Sequence, residues 1–292
     1  MTTYDNPIGF PYIFMDYIDG STAFELSTLY GDPMRVPSQY QSYFFSQLAG
    51  IMVELASLRF PAIGSITSRE GSTDVSDMVI GPCADTFTGP YKTSEDFYAE
   101  YPTAIAETLN IRNGASKQLV GLGIAAELKK IMLEGRAKST PDNEDPFVLV
   151  NLEMGTHNVL VDSLYTIVGI IDWDSTFSFP VEAAHMFPSC TGAEPGVPGA
   201  TEEVSFICPP LNDERRAVCE AFASAVHHAA QARAATASDA GSALKPDLTL
   251  TKAGFFTKEA LAFRPLMFLK AKQDWVDEAW VPGLQHLQRR QS

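Results

Sequence analysis

One stretch constrains this chain more than any other: residues 147–174, FVLVNLEMGTHNVLVDSLYTIVGIIDWD. Phe147 to Val150 is an apolar run that stops at Asn151, and a polar loop with Glu153, His157 and Asn158 follows. Val159 to Val161 is a second run, Asp162 to Thr166 a turn, and Ile167 to Ile171 a third run closed by Asp172. Short β-branched runs bounded by turn residues favour strands over helix. A hairpin over 159–171 brings Asn158, before its first strand, next to Asp172, after its second. An amide and a carboxylate at one hairpin end can share a hard cation such as magnesium. Glu153, five residues before Asn158, faces the same spot as a candidate base. Asp or Asn at a strand end is more often a plain turn residue, so the order and spacing of the set carry this reading.

With these residues in place, the stretch resembles the catalytic segment of the aminoglycoside phosphotransferase-like family, most closely its fungal type. That family carries His-x-Asp, four residues, Asn, then a strand pair ending in Ile-Asp-Trp-Glu. The matching positions here are Asn151, Glu153, Asn158 and the run Ile171, Asp172, Trp173, Asp174. The resemblance implies a protein-kinase-like fold, with Asn158 and Asp172 on magnesium, ATP as the nucleotide and Glu153 at the catalytic-base position. It departs at two places: the family His is Asn151 and the family Asp is Glu153. A kinase base must lie within hydrogen-bond reach of the acceptor hydroxyl. An extra methylene moves the carboxylate by roughly an ångström, and misplacement on that scale can cost about a hundredfold in rate.

The N-terminal segment adds to the resemblance. Tyr12 to Met15 reads as a short strand after Pro11, and Gly20 ends the unit. In the family such a segment is the last strand of the small lobe and the hinge, which implies that backbone groups near Asp16 and Tyr17 contact adenine. The chain starts almost at that hinge. No lysine precedes Lys92, and Gly9 and Gly20 are isolated rather than part of a phosphate loop. The expectation is one kinase-like unit over 1–292: a small-lobe remnant and hinge over 1–20, then a helical lobe over 21–292, binding ATP weakly.

The rest of the chain reads as mainly helical, α+β, with the hairpin at its centre. Between Pro37 and Phe60 the residues Tyr40, Phe44, Leu48, Met52 and Leu55 recur at helical steps and define a buried face. Residues 61–90 hold strand-like pieces. Helices are expected over 93–110 and 116–135, the second with Leu119, Leu122, Leu128 and Ile131 inward and Lys129 and Lys130 outward. A polar loop spans 139–146. Residues 175–210 read as an irregular connection, 212–233 as a helix, 234–247 as a linker, and 257–280 as a last helical region with Pro265 as its kink or start.

Composition narrows the function classes. The 292 residues are 45% hydrophobic and carry a formal charge of −15, so the surface is wrong for phosphate-rich nucleic acid. The four cysteines, Cys83, Cys190, Cys208 and Cys219, form no C-x-x-C pair, which suits reduced thiols better than a disulfide frame or a zinc site. The N-terminus lacks a basic and apolar leader, and no run approaches the ~18 apolar residues of a membrane span. The expectation is a soluble cytoplasmic protein with a small-molecule ligand, no nucleic acid and no membrane. Two functions stand side by side. One is an ATP- and magnesium-dependent phosphotransferase acting on a small-molecule hydroxyl, impaired by its altered motif. The other is a pseudoenzyme or scaffold, or a different reaction in the retained pocket.

Overall fold

The computed structural model describes residues 7, 9–10, 16–69, 74–136, 147–191, 213–239, 250–271, 278 and 280–289. Helix outweighs strand, and the fold is α+β as expected. The expected strand at 12–15 and the polar loop at 139–146 lie outside the described residues.

Two antiparallel sheets organise the fold. The larger has five strands in the order β2-β5-β8-β3-β4, formed by β2 (Arg59–Phe60), β3 (Gly64–Ser68), β4 (Met78–Gly81), β5 (Phe147–Asn151) and β8 (Thr176–Phe179). The smaller has three, β1 (Ser21–Thr22), β6 (Val159–Val161) and β7 (Ile167–Ile170), in the order β1-β6-β7. Every residue of β5 is buried, which is why its sequence is a continuous apolar run rather than an alternation. The expected hairpin is β6–β7, with Val159 opposite Ile170. Its turn is set by Asp162, whose carboxylate accepts the N–H groups of Leu164 and Thr166, both at 2.8 Å.

Helix α1 (Ala23–Thr28) opens on a capping box between Thr22 and Glu25. Helix α2 (Ser38–Ser57) follows Pro37 and buries Phe44, Leu48 and Met52, the face read from the sequence. It packs on β5 and on α5 (Asp213–Asp239). Arg233 at the far end of α5 ties back to α2 through Glu54 and Ser57. Helices α6 (Lys258–Ala271) and α7 (Trp280–Arg289) pack against α3 (Ser94–Arg136). An aromatic cluster joins α3, β8 and α6: Phe97 lies 4.6 Å from Tyr101 and 5.5 Å from Phe179, and Phe179 lies 5.9 Å from Phe263, ring centre to ring centre. Contacts of this kind contribute roughly 0.5–1.5 kcal/mol each beyond area burial.

Several expectations need correction. Residues 94–136 form one helical element, α3, where two helices were expected. Yet Lys129 Nζ stands 3.4 Å from Thr103 Oγ1. Residues 26 apart on a straight helix would be about 39 Å apart at 1.5 Å each, so α3 doubles back into two arms. Leu119 is not inward but 71% exposed, whereas Leu128 and Ile131 are fully buried. Residues 175–191 are not irregular: they hold β8, the middle strand of the large sheet, and the short helix α4 (Val181–Ala184). The hairpin therefore belongs to the smaller of two sheets and is not the only β structure at the centre. Helix α5 continues through the start of the expected linker, to Asp239. Pro265 sits inside α6, and the distinct helix α7 was not foreseen.

Candidate functional site

The site is built where β5 ends and β8 begins. Asn151 and Thr176 pair across these two strands, and Leu152 N–H donates to Ser175 O at 3.0 Å. Everything between, residues 152–175, leaves the large sheet and returns to it beside its own exit. Asn151 fastens that neck. Its Oδ1 accepts the Glu153 N–H at 2.8 Å, and its Nδ2 donates to the Asp172 carbonyl at 3.3 Å. Asn151 is 6% exposed, and a buried amide of this kind must be paired on both sides. Asn151 is thus the clasp between the two segments that carry the candidate carboxylates.

Asn158 is the second clasp. Its Nδ2 donates to the Glu153 carbonyl at 3.0 Å, while its own carbonyl accepts the Ile171 N–H at 2.9 Å. The amide orientation follows from that bond, which leaves Oδ1 with no hydrogen bond to any described residue. Asp172 comes next after Ile171, at φ +61°, in the left-handed region that a side chain enters at a cost. It is exposed, and its carboxylate makes no hydrogen bond or ion pair with the described residues. The backbone bond between Asn158 and Ile171 puts Asn158 and Asp172 at the same end of the hairpin.

Glu153 is exposed, and its Oε1 accepts the Ser175 hydroxyl at 2.8 Å. Sequence reasoning missed Ser175. Its only signal was its place one residue before a strand that was itself not recognised. A Cβ at Gly155 in the same loop would meet the ring of the exposed His157, which would have to move. Trp173 caps β7 by donating Nε1–H to Ile170 O at 3.0 Å.

Asp16 and Tyr17 are exposed, Tyr17 to 86%. Ile18 lies against Gly169 of β7, and Gly20 against Val168 and the Val161 carbonyl. The segment thus runs beside the hairpin, with the backbone groups of Asp16 and Tyr17 unengaged by the described residues. Among the described residues no three His, Cys, Asp or Glu side chains gather as a metal cluster. Cys83 is a buried free thiol, and Cys190 and Cys219 are buried. No helix of the described residues is long and apolar enough to cross a membrane.

Comparison with known proteins adds no relative: no protein-family model, no curated protein and no solved structure matches this chain.

Proposed function

We propose that the end of the β6–β7 hairpin is a magnesium-dependent phosphotransfer site, acting from ATP onto a hydroxyl of a small molecule. The observation that supports this reading is that Asn158 and Asp172 stand at one end of the hairpin, and that Asn158 Oδ1 and the Asp172 carboxylate make no hydrogen bond or ion pair among the described residues. Those donors fit magnesium, which takes one or two protein oxygens and completes its shell with phosphate and water. Bound there, the ion would supply charge neutralisation for the phosphates. The Glu153 carboxylate, with Oε1 held by Ser175, presents Oε2 as the atom that takes the proton from the acceptor hydroxyl. Asn151 sets the distance between the Glu153 and Asp172 segments. The unengaged backbone at Asp16 and Tyr17 is the proposed edge for adenine.

A phosphate-release assay with Mg-ATP across a panel of hydroxylated metabolites tests the proposal, alongside calorimetry of Mg-ATP binding. The expected result is weak nucleotide binding that Asp172→Asn and Asn158→Ala each abolish. Turnover should be lost in Glu153→Gln and kept or raised in Glu153→Asp, which restores the family residue. Turnover that Glu153→Gln leaves untouched removes Glu153 from the mechanism. One observation favours a non-catalytic binding role instead: the longer Glu153 side chain is tethered to Ser175. On that reading Mg-ATP binds, no acceptor is phosphorylated, and Glu153→Asp rescues nothing.

A further inference from the structure

Residues 1–34 and 139–214 contain no lysine and no arginine. These two stretches supply β1, α1, β5 to β8 and α4, so the hairpin and the neck that carries it are built from them. Asp16, Asp19, Glu153, Asp172 and Asp174 stand exposed there. Phosphates brought to the hairpin end would meet like charge from every carboxylate that a metal ion does not take up. A phosphotransfer site otherwise sets a cationic side chain against the phosphates, and here its source has to be found.

Three side chains could supply it. Lys270 reaches β8, over the Phe177 ring at 4.8 Å, but its ammonium is paired with Asp85 at 3.0 Å. His185 is buried with both ring nitrogens engaged, by the Val181 carbonyl and the Thr251 N–H, and burial pushes its pKa down to about 4, so it stays neutral. His157 remains. It is exposed, and neither of its ring nitrogens bonds a described residue. Histidine is the side chain that takes up charge close to neutrality.

The loop also directs the ring. Gly155 N–H donates to the Glu153 carbonyl at 2.7 Å, and Asn158 N–H to the Gly155 carbonyl at 3.0 Å, so residues 153–158 form one tight turn. The His157 ring lies against Gly155, in the place where a Cβ would stand. It therefore folds back over the loop that runs from Glu153 to Asn158. The Ser189 hydroxyl borders the same spot without bonding the ring.

We infer that His157, as an imidazolium, is the contact for the phosphate being transferred and donates a ring N–H to one of its oxygens. The inference rests on the phosphotransfer reading of the hairpin end. On that reading Glu153 receives the acceptor hydroxyl four residues earlier in the same loop, so the transferred phosphate arrives beside it. No bond to His157 forms or breaks. Its part is to offset charge through a charge-assisted hydrogen bond, which is stronger than a neutral one.

Calorimetry of the full chain with Mg-ATP and with Mg-ADP tests this, on the wild type, His157→Gln and His157→Lys. His157→Gln should weaken Mg-ATP about tenfold, the scale of a hydrogen bond to a charged group, and leave Mg-ADP unchanged. His157→Lys should restore Mg-ATP binding. Both variants should melt with the wild type, since the side chain is exposed and makes no bond to the described residues. A wild type that binds Mg-ATP, with His157→Gln weakening neither nucleotide or both equally, overturns the role and leaves the site standing. A wild type that binds neither nucleotide removes the site and the role with it.

Discussion

Asp172 carries two demands at once, one on its backbone and one on its charge. At φ +61° the backbone asks for glycine, while the proposed metal site asks for a carboxylate. Substitution separates them. Asp172→Gly should hold or raise the melting temperature and abolish the effect of magnesium on nucleotide binding. Asp172→Ala keeps a Cβ in the left-handed region, so it should abolish the magnesium effect without the gain in melting temperature that glycine brings. Asn151 is the opposite case, a residue whose side chain matters for shape. Asn151→Ala removes its bonds to the Glu153 N–H and the Asp172 carbonyl at a part-buried position. It should cost about 1–3 kcal/mol by denaturant titration. Asn151 was visible in the sequence only as a departure from a pattern. Its bond to the Asp172 carbonyl, 21 residues on, needs the β5–β8 register, which no local spacing contains.

Among the elements, what was legible was local. The β6–β7 hairpin announced itself because its strands, its Asp162 turn and its closing residues lie within a dozen positions. Helix α2 announced itself through the step of Phe44, Leu48 and Met52. Strand β8 did not, because TFSF is four residues long and its partners β5 and β3 lie far away in the chain. Helix α4 was hidden for the same reason, and its anchoring depends on His185, next after its last residue. The His185 ring bonds the Val181 carbonyl through Nδ1 at 3.0 Å, and its Nε2 accepts the Thr251 N–H at 3.2 Å. Burial pushes its pKa down from 6.5 to about 4. The unfolded chain therefore binds a proton between those values that the folded chain does not. Stability from this group is complete above pH 6.5 and falls as the pH drops towards 4, by about 3 kcal/mol in all. Melting curves at pH 7 and 4.5 should show a steeper loss in the wild type than in His185→Gln. Gly254→Ala should destabilise at every pH, since its Cβ would stand in the His185 ring.

At the scale of the molecule, the buried strands β5 and β8 hold the structure together, with α2 on β5 and the Phe97–Phe179–Phe263 cluster beside β8. Their amides should exchange with deuterium more slowly than those of β7, which lies at an edge of the small sheet. The composition carried only an expectation about partners, and it said nothing about two sheets. That feature comes from pairings such as Ser21 with Val161, which join segments 140 positions apart.

The neck formed by Asn151, Leu152, Ser175 and Thr176 has a practical outcome. The segment between, although it carries the hairpin, is closed by bonds that do not depend on its covalent continuity at the tip. Leu164 at that tip is 64% exposed, whereas the neighbouring Tyr165 is held by Gln47, Ser27 and Tyr40. A cut between Ser163 and Leu164 would leave β5 and β6 on one fragment, and β7 and β8 on the other, with both sheets still needing both pieces. The two fragments, 1–163 and 164–292, should therefore assemble when produced together, and recovery as one complex on a sizing column would show it. Such a pair would make fold recovery conditional on encounter, and so turn this chain into a reporter of the proximity of whatever its halves are fused to.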